Sequence, residues 1–214
     1  MSGALKMARL DQYSMKSPFG MYGTLLVVLF LLSFTGLSPM SAAITTAWVM
    51  ALHLPMIFLV QEKDALERLY ASLALSDCEV VVGRYLYMFS HFVIALIMAM
   101  FFGVLLPVLQ GKGASIESVV AGIAVSILMF TFIVSVQTPL YFTMGYAKGQ
   151  LFGLIPYGAM LILVIATVFN DSSMQMARTL MQWPLLLLLV SLAASVGMVV
   201  ISYRSSLKSY RMFR

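Results

Sequence analysis

The stretch Gln61–Arg84, QEKDALERLYASLALSDCEVVVGR, is the one long polar interval in a chain that is otherwise nearly continuous hydrocarbon, and it holds five of the eight acidic residues. Leu66, Leu69, Tyr70 and Leu73 recur at i, i+3, i+4 and i+7. That spacing puts them on one face of a helix, with Asp64, Glu67 and Arg68 pointing elsewhere. The stretch is therefore expected to form a short amphipathic helix. Ser76 and Glu79 then make an S-x-x-E capping box: the serine oxygen accepts an amide of the first turn while the glutamate reaches back. A second helix is expected to start there and to run through Arg84 into the next apolar segment.

The composition around this stretch sets the class. The chain has 214 residues, of which 62% are hydrophobic and 10% charged; a soluble globule carries roughly 25% charge. An all-α integral membrane protein follows. The single cysteine, Cys78, excludes an internal disulfide. No signal-peptide cleavage pattern is visible, so the first span is expected to stay in the mature chain.

Runs long enough to approach the roughly 20 residues that a helix needs to cross about 30 Å of hydrocarbon fall at Met21–Leu37, Ala42–Val60, Tyr85–Leu109, Ser118–Leu140, Leu151–Phe169 and Pro184–Tyr203. Six spans are predicted. Ser38–Ser41 reads as a tight turn around Pro39, Gln110–Glu117 and Tyr141–Gln150 as loops, and Asn170–Trp183 as a connection with room for a small surface helix. Residues 1–20 place Lys6, Arg9, Tyr13 and Lys16 on one helical face and Met7, Leu10 and Met15 towards the other. The expectation is a helix lying flat at the membrane surface, against the alternative of a frayed leader. The organisation expected is thus an interfacial helix over 1–20, a transmembrane domain over 21–203 that includes 61–84, and a basic tail over 204–214.

Basic loops are retained on the cytoplasmic side. With both termini inside, eleven of the 13 lysines and arginines lie on that side, and only Lys112 and Arg178 lie outside. This orientation puts 61–84 in the cytoplasm and assigns the chain to the cytoplasmic membrane. The tail RSSLKSYRMFR is expected to meet anionic lipid headgroups.

No catalytic signature is present. Gly111, Lys112 and Gly113 do not make a phosphate-binding loop, and the six spans hold no Asp, Glu, Lys or Arg, which argues against an ion-coupled transporter. His53 and His91 are the ionisable groups left in hydrocarbon. Neutral imidazoles bonded to a neighbouring helix are expected, with a facing pair as the alternative. Pro55, Pro107, Pro139 and Pro156 are expected to kink or end their spans. Gly145, Gly149 and Gly153 recur every four residues and read as a close-packing ridge, or else as a hinge.

A polar helix between the second and third of six spans, in a chain without an energy source, resembles the short membrane permeases of ABC type-2 exporters, which pair with a separate ATPase. The family pattern has a glutamate after span two, then a polar helix, a Leu-Pro-hydrophobic-Ser/Thr turn and a basic–aromatic pair opening span three. The matching positions are Glu62, then Leu73, Ala74, Leu75 and Ser76, then Arg84 with Tyr85. Ala74 stands where many members have proline, and Asp77 where a basic residue is common. The resemblance implies a coupling helix that docks on the nucleotide-binding subunit through Glu62, Leu66, Leu69, Tyr70, Leu73, Ala74, Leu75 and Ser76. It also implies a second permease copy or a sister permease. No cofactor is expected in this chain, with ATP and Mg held by the partner ATPase, and no nucleic acid. An uncharged pathway suits an apolar or amphipathic substrate such as a peptide, a lipid-like molecule or a drug. The alternatives are the six-helix substrate-binding subunit of a vitamin importer and a membrane-embedded enzyme.

Overall fold

The computed structural model describes residues 3–15, 18–34, 36, 38–63, 75–111, 113, 115–170, 175, 179 and 182–213. The amphipathic helix expected over 64–74, including Leu66, Leu69, Tyr70, Leu73 and Ala74, lies outside the described residues, as does most of the Asn170–Trp183 connection. The described chain is helical: α1 (Gly3–Ser14), α2 (Pro18–Ser33), α3 (Pro39–His53), α4 (Met56–Lys63), α5 (Asp77–Leu109), α6 (Ile116–Phe152), α7 (Ile155–Phe169) and α8 (Pro184–Phe213).

Among the described residues four helical stretches are long and apolar enough to cross a membrane: Pro39–Lys63, Asp77–Leu109, Ile116–Phe152 and Pro184–Met212. They coincide with predicted spans two, three, four and six. α2 and α7, at 16 and 15 residues, cover about 24 and 22 Å, less than the hydrocarbon thickness. Their positions match predicted spans one and five. The large apolar side chains on the outside, among them Leu161, Ile162, Leu185, Leu189 and Val196, form faces too extensive for water and suited to lipid.

Small residues let the bundle close. α3 packs between α5 and α6 through Ala42, Ala43, Ala47 and Ala51, all fully buried. α8 lies along α6 with Ser191, Ser195, Ser202 and Ser206 buried, because short side chains permit the close approach that holds helices together in lipid. The aromatic rings of Phe92 and Phe130 stack 4.0 Å apart between α5 and α6.

Several expectations need correction. The turn predicted over Ser38–Ser41 is already the start of α3: Ser38 is its N-cap, in a box with Ser41, and Pro39 fills the first turn, where its missing N–H costs nothing. Pro55 interrupts the helix between α3 and α4, but Leu54 keeps helical backbone angles and Pro39–Lys63 still runs as one span. The loop predicted over Tyr141–Gln150 is helical. Its polar residues suggested a loop, but the chain changes direction at one residue only, Gly145 (φ 72°, ψ 172°), inside α6. α8 continues past Tyr203 into the basic tail, burying Ser206 and Tyr210.

Candidate coupling site at the terminal end of the bundle

The two flanks of residues 64–74 are fixed to the bundle by charge-assisted contacts. On the upstream side, α4 ends with Gln61, Glu62 and Lys63. One Glu62 carboxylate oxygen accepts the backbone amides of Tyr146 at 2.9 Å and Ala147 at 3.2 Å. These are the first two amides after the Gly145 break. They have no carbonyl one turn back to bond, so a carboxylate there satisfies them as an N-cap side chain does.

On the downstream side, the predicted capping box of α5 is present. Ser76 Oγ accepts the Glu79 amide at 3.4 Å, and Glu79 Oε2 accepts the Ser76 amide at 2.9 Å. The α5 helix of 33 residues is about 50 Å long, so its first turns, before Tyr85, extend beyond the apolar part. Glu79 lies in that extension against Gly3, at the start of α1. The Ser76 amide, the Ser76 hydroxyl, the Gly3 amide and the nearby Lys6 charge hold its carboxyl below the ordinary glutamate range. One carboxylate therefore serves the N-termini of two helices. Asp77 pairs with Arg211 of α8 at 3.7 Å, so both ends of the chain meet at this end of the bundle.

Between the flanks lies a buried cluster. Arg84 and Asp11 form an ion pair at 3.3 Å with neither side chain exposed. The Arg84 Nη2 group donates to Gln61 Oε1 at 2.5 Å, and the guanidinium lies over the Phe58 ring at 5.1 Å, a cation–π arrangement strengthened by desolvation. Next to it, Tyr85 Oη bonds Ser202 Oγ at 2.5 Å and Ser206 Oγ at 3.1 Å, and Ser202 in turn donates to the Ser135 carbonyl at 2.7 Å. The basic–aromatic pair thus ties α5 to α1, α4, α6 and α8 at once.

α1 docks on the protein as well as offering a basic face. Met7 is fully buried and sits over Gly83, where an added Cβ would meet Met7 Cβ at 2.6 Å and the Ala4 carbonyl at 2.9 Å. Asp11, one turn on, was not singled out from the sequence. The signal was there: the lone acid of a basic leader shares the face of Met7 at i, i+4.

Of the predicted coupling residues, Glu62 is held on α6, Leu75 packs against the core and Ser76 caps α5; the structure brings Glu62 and Ser76 to the same end of the bundle. Elsewhere, His91 Nδ1 bonds Tyr22 Oη of α2 at 2.6 Å, as expected of an imidazole on a neighbouring helix. His53 instead bonds the Val49 carbonyl of its own helix at 2.9 Å. Among the described residues no group of three or more His, Cys, Asp or Glu is placed to hold a metal. The arrangement offers mechanical linkage.

A family model described as "ABC-2 family transporter protein" matches residues 7–211. The chain belongs to the ABC-2 transporter family. It is a multi-pass membrane permease of that family, whose permeases generally lack an ATPase site of their own and work with an ABC ATPase. The vitamin-importer alternative gains no support from this match. No curated protein and no solved structure matches the chain.

Proposed function

We propose that this chain is an exporter permease of the cytoplasmic membrane that lines a pathway for an apolar or amphipathic substrate, and that a separate ABC ATPase drives it by moving residues 64–74. In this reading six segments cross the bilayer with both termini cytoplasmic. α2 and α7, the two short helices, reach the interfaces with help from their flanking residues. A second copy or a sister permease completes the pathway.

The observation that carries the reading is the fixing of both flanks of 64–74. A segment pushed from outside delivers motion only where its ends are held, and here Glu62 holds one end to α6 while Glu79, Asp77 and Arg84 hold the other to α1, α8 and α4. Leu66, Leu69, Tyr70 and Leu73 are the docking face, each worth about 1.5–3 kcal/mol if fully buried, with Glu62, Ala74, Leu75 and Ser76 at its edges.

Co-purification of this chain with a soluble Walker-motif ATPase, whose hydrolysis rate rises in its presence, tests the assignment. Leu73→Asp places a charge in the docking face and is expected to abolish association while leaving membrane insertion unchanged. Unaltered association and transport in that variant would count against it.

A further inference from the structure

α4 crosses the bend of α6 and touches it on both sides. Before Gly145, the Phe58 ring meets Tyr141 at 5.4 Å and Phe142 at 5.1 Å. After Gly145, Glu62, one turn further along α4, takes the amides of Tyr146 and Ala147. Beyond the bend the chain doubles back. Gln137 Nε2 donates to the Gly153 carbonyl at 2.9 Å across a separation of 16 residues, which a straight helix would place about 24 Å apart. Tyr141 fills the space over Gly149 and Gly153: an added Cβ at Gly149 would meet its Cδ1 at 2.9 Å, and one at Gly153 would overlap its hydroxyl. Tyr146 stacks on the same ring at 5.4 Å. The returned segment then runs through Gly153 and Leu154 straight into α7.

We infer that α4 is a splint across the Gly145 bend, and that Glu62 is the positioning residue through which displacement of residues 64–74 turns the returned segment and, with it, α7. This rests on the reading of 64–74 as the segment an ATPase moves. Phe58 grips the fixed side of the bend by packing, whereas Glu62 grips the mobile side through one carboxylate and two amides. Gly145 supplies the pivot, at a backbone conformation only glycine adopts readily. Lys63 is the last residue of α4, so the splint ends where residues 64–74 begin, and among the described residues on this side Glu62 is the nearest with a hydrogen bond to another helix.

The test uses the full chain in lipid nanodiscs, with backbone amide exchange measured for the wild type, Glu62→Gln and Glu62→Ala. Tyr146 and Ala147 are expected to exchange about tenfold faster or more in Glu62→Ala, as loss of a charge-assisted hydrogen bond requires. The isosteric Glu62→Gln, which keeps an acceptor oxygen, is expected to fall between. Rates unchanged at those two amides would overturn the splint. A second arm uses the ATPase that co-purifies with the wild-type chain: Glu62→Ala is expected to retain association but lose most of the chain-dependent stimulation of hydrolysis, with partial rescue by Glu62→Gln. Raised exchange with full stimulation would overturn the transmission role. A wild-type chain that recruits no ATPase would instead overturn the proposed function, and the exchange arm alone would then decide the splint.

Discussion

Arg84 Nε and Asp11 Oδ2 lie 3.3 Å apart in a place that solvent does not reach. Removing one member of such a pair leaves the other charge buried without compensation, at a cost of about 3–5 kcal/mol, whereas replacing both by apolar groups is often neutral or better. Asp11→Ala is therefore expected to lower the Tm of the detergent-solubilised protein sharply, and Asp11→Leu combined with Arg84→Met to recover most of it. A single variant as stable as the wild type would refute the structural weight given to this pair.

Gly83 allows α1 to lie directly on α5. In Gly83→Val the new Cβ meets a Met7 Cβ and a backbone carbonyl, neither of which a rotamer change can move. Overpacking of this kind costs about 1–3 kcal/mol, and the release is expected to be local. Limited proteolysis should cut α1 faster, with the rest of the bundle still folded; unchanged cleavage would argue that α1 is held by other means.

Gly145 makes a different demand. An added Cβ would find its nearest neighbour, a Glu62 carboxylate oxygen, at 3.5 Å, so Gly145→Ala suffers no collision. Its cost comes from φ 72° and ψ 172° alone, about 1–3 kcal/mol for a residue with a side chain. Thermal unfolding should register that loss. If Gly145→Ala unfolds with the wild type, the bend is not where the structure puts it.

Glu79 predicts a pH dependence. Its carboxyl is held below the ordinary value by the Ser76 amide first, so the stability it contributes is present in full above the unfolded-state pKa of about 4.3. It is lost as pH falls through the lower folded value. Amide protection near Gly3 and Ser76, taken relative to the intrinsic exchange rate at each pH, should fall on acidification, and Glu79→Gln should show low protection at every pH. An acid-insensitive wild type would contradict the shared cap.

The parts of this fold that the sequence made legible are local ones. The Ser76–Glu79 box depends on residues three apart and is present as read, and the apolar runs at spans two, three, four and six are present as long helices. Contacts between distant segments left weaker traces. Gly145, Gly149 and Gly153 share a spacing that reads as a packing ridge between helices or else as a hinge; the backbone bends at Gly145, and the other two pack on Tyr141 of the same segment. A spacing tells which residues are small and says nothing of what approaches them. Glu62 was legible as an acid ending span two, but its hold on Tyr146 and Ala147 depends on a backbone conformation that no pattern encodes. The partner of Arg84 was missed because Asp11 is a single acid far upstream.

That distance along the chain orders the assembly of the molecule. Asp11 is synthesised long before Arg84 and Glu79, so α1 lacks its main dock until α5 has been made and inserted. The leading helix is therefore the last of the early segments to find its seat, and a nascent chain cut short before Arg84 would leave it loose with an unpaired acid.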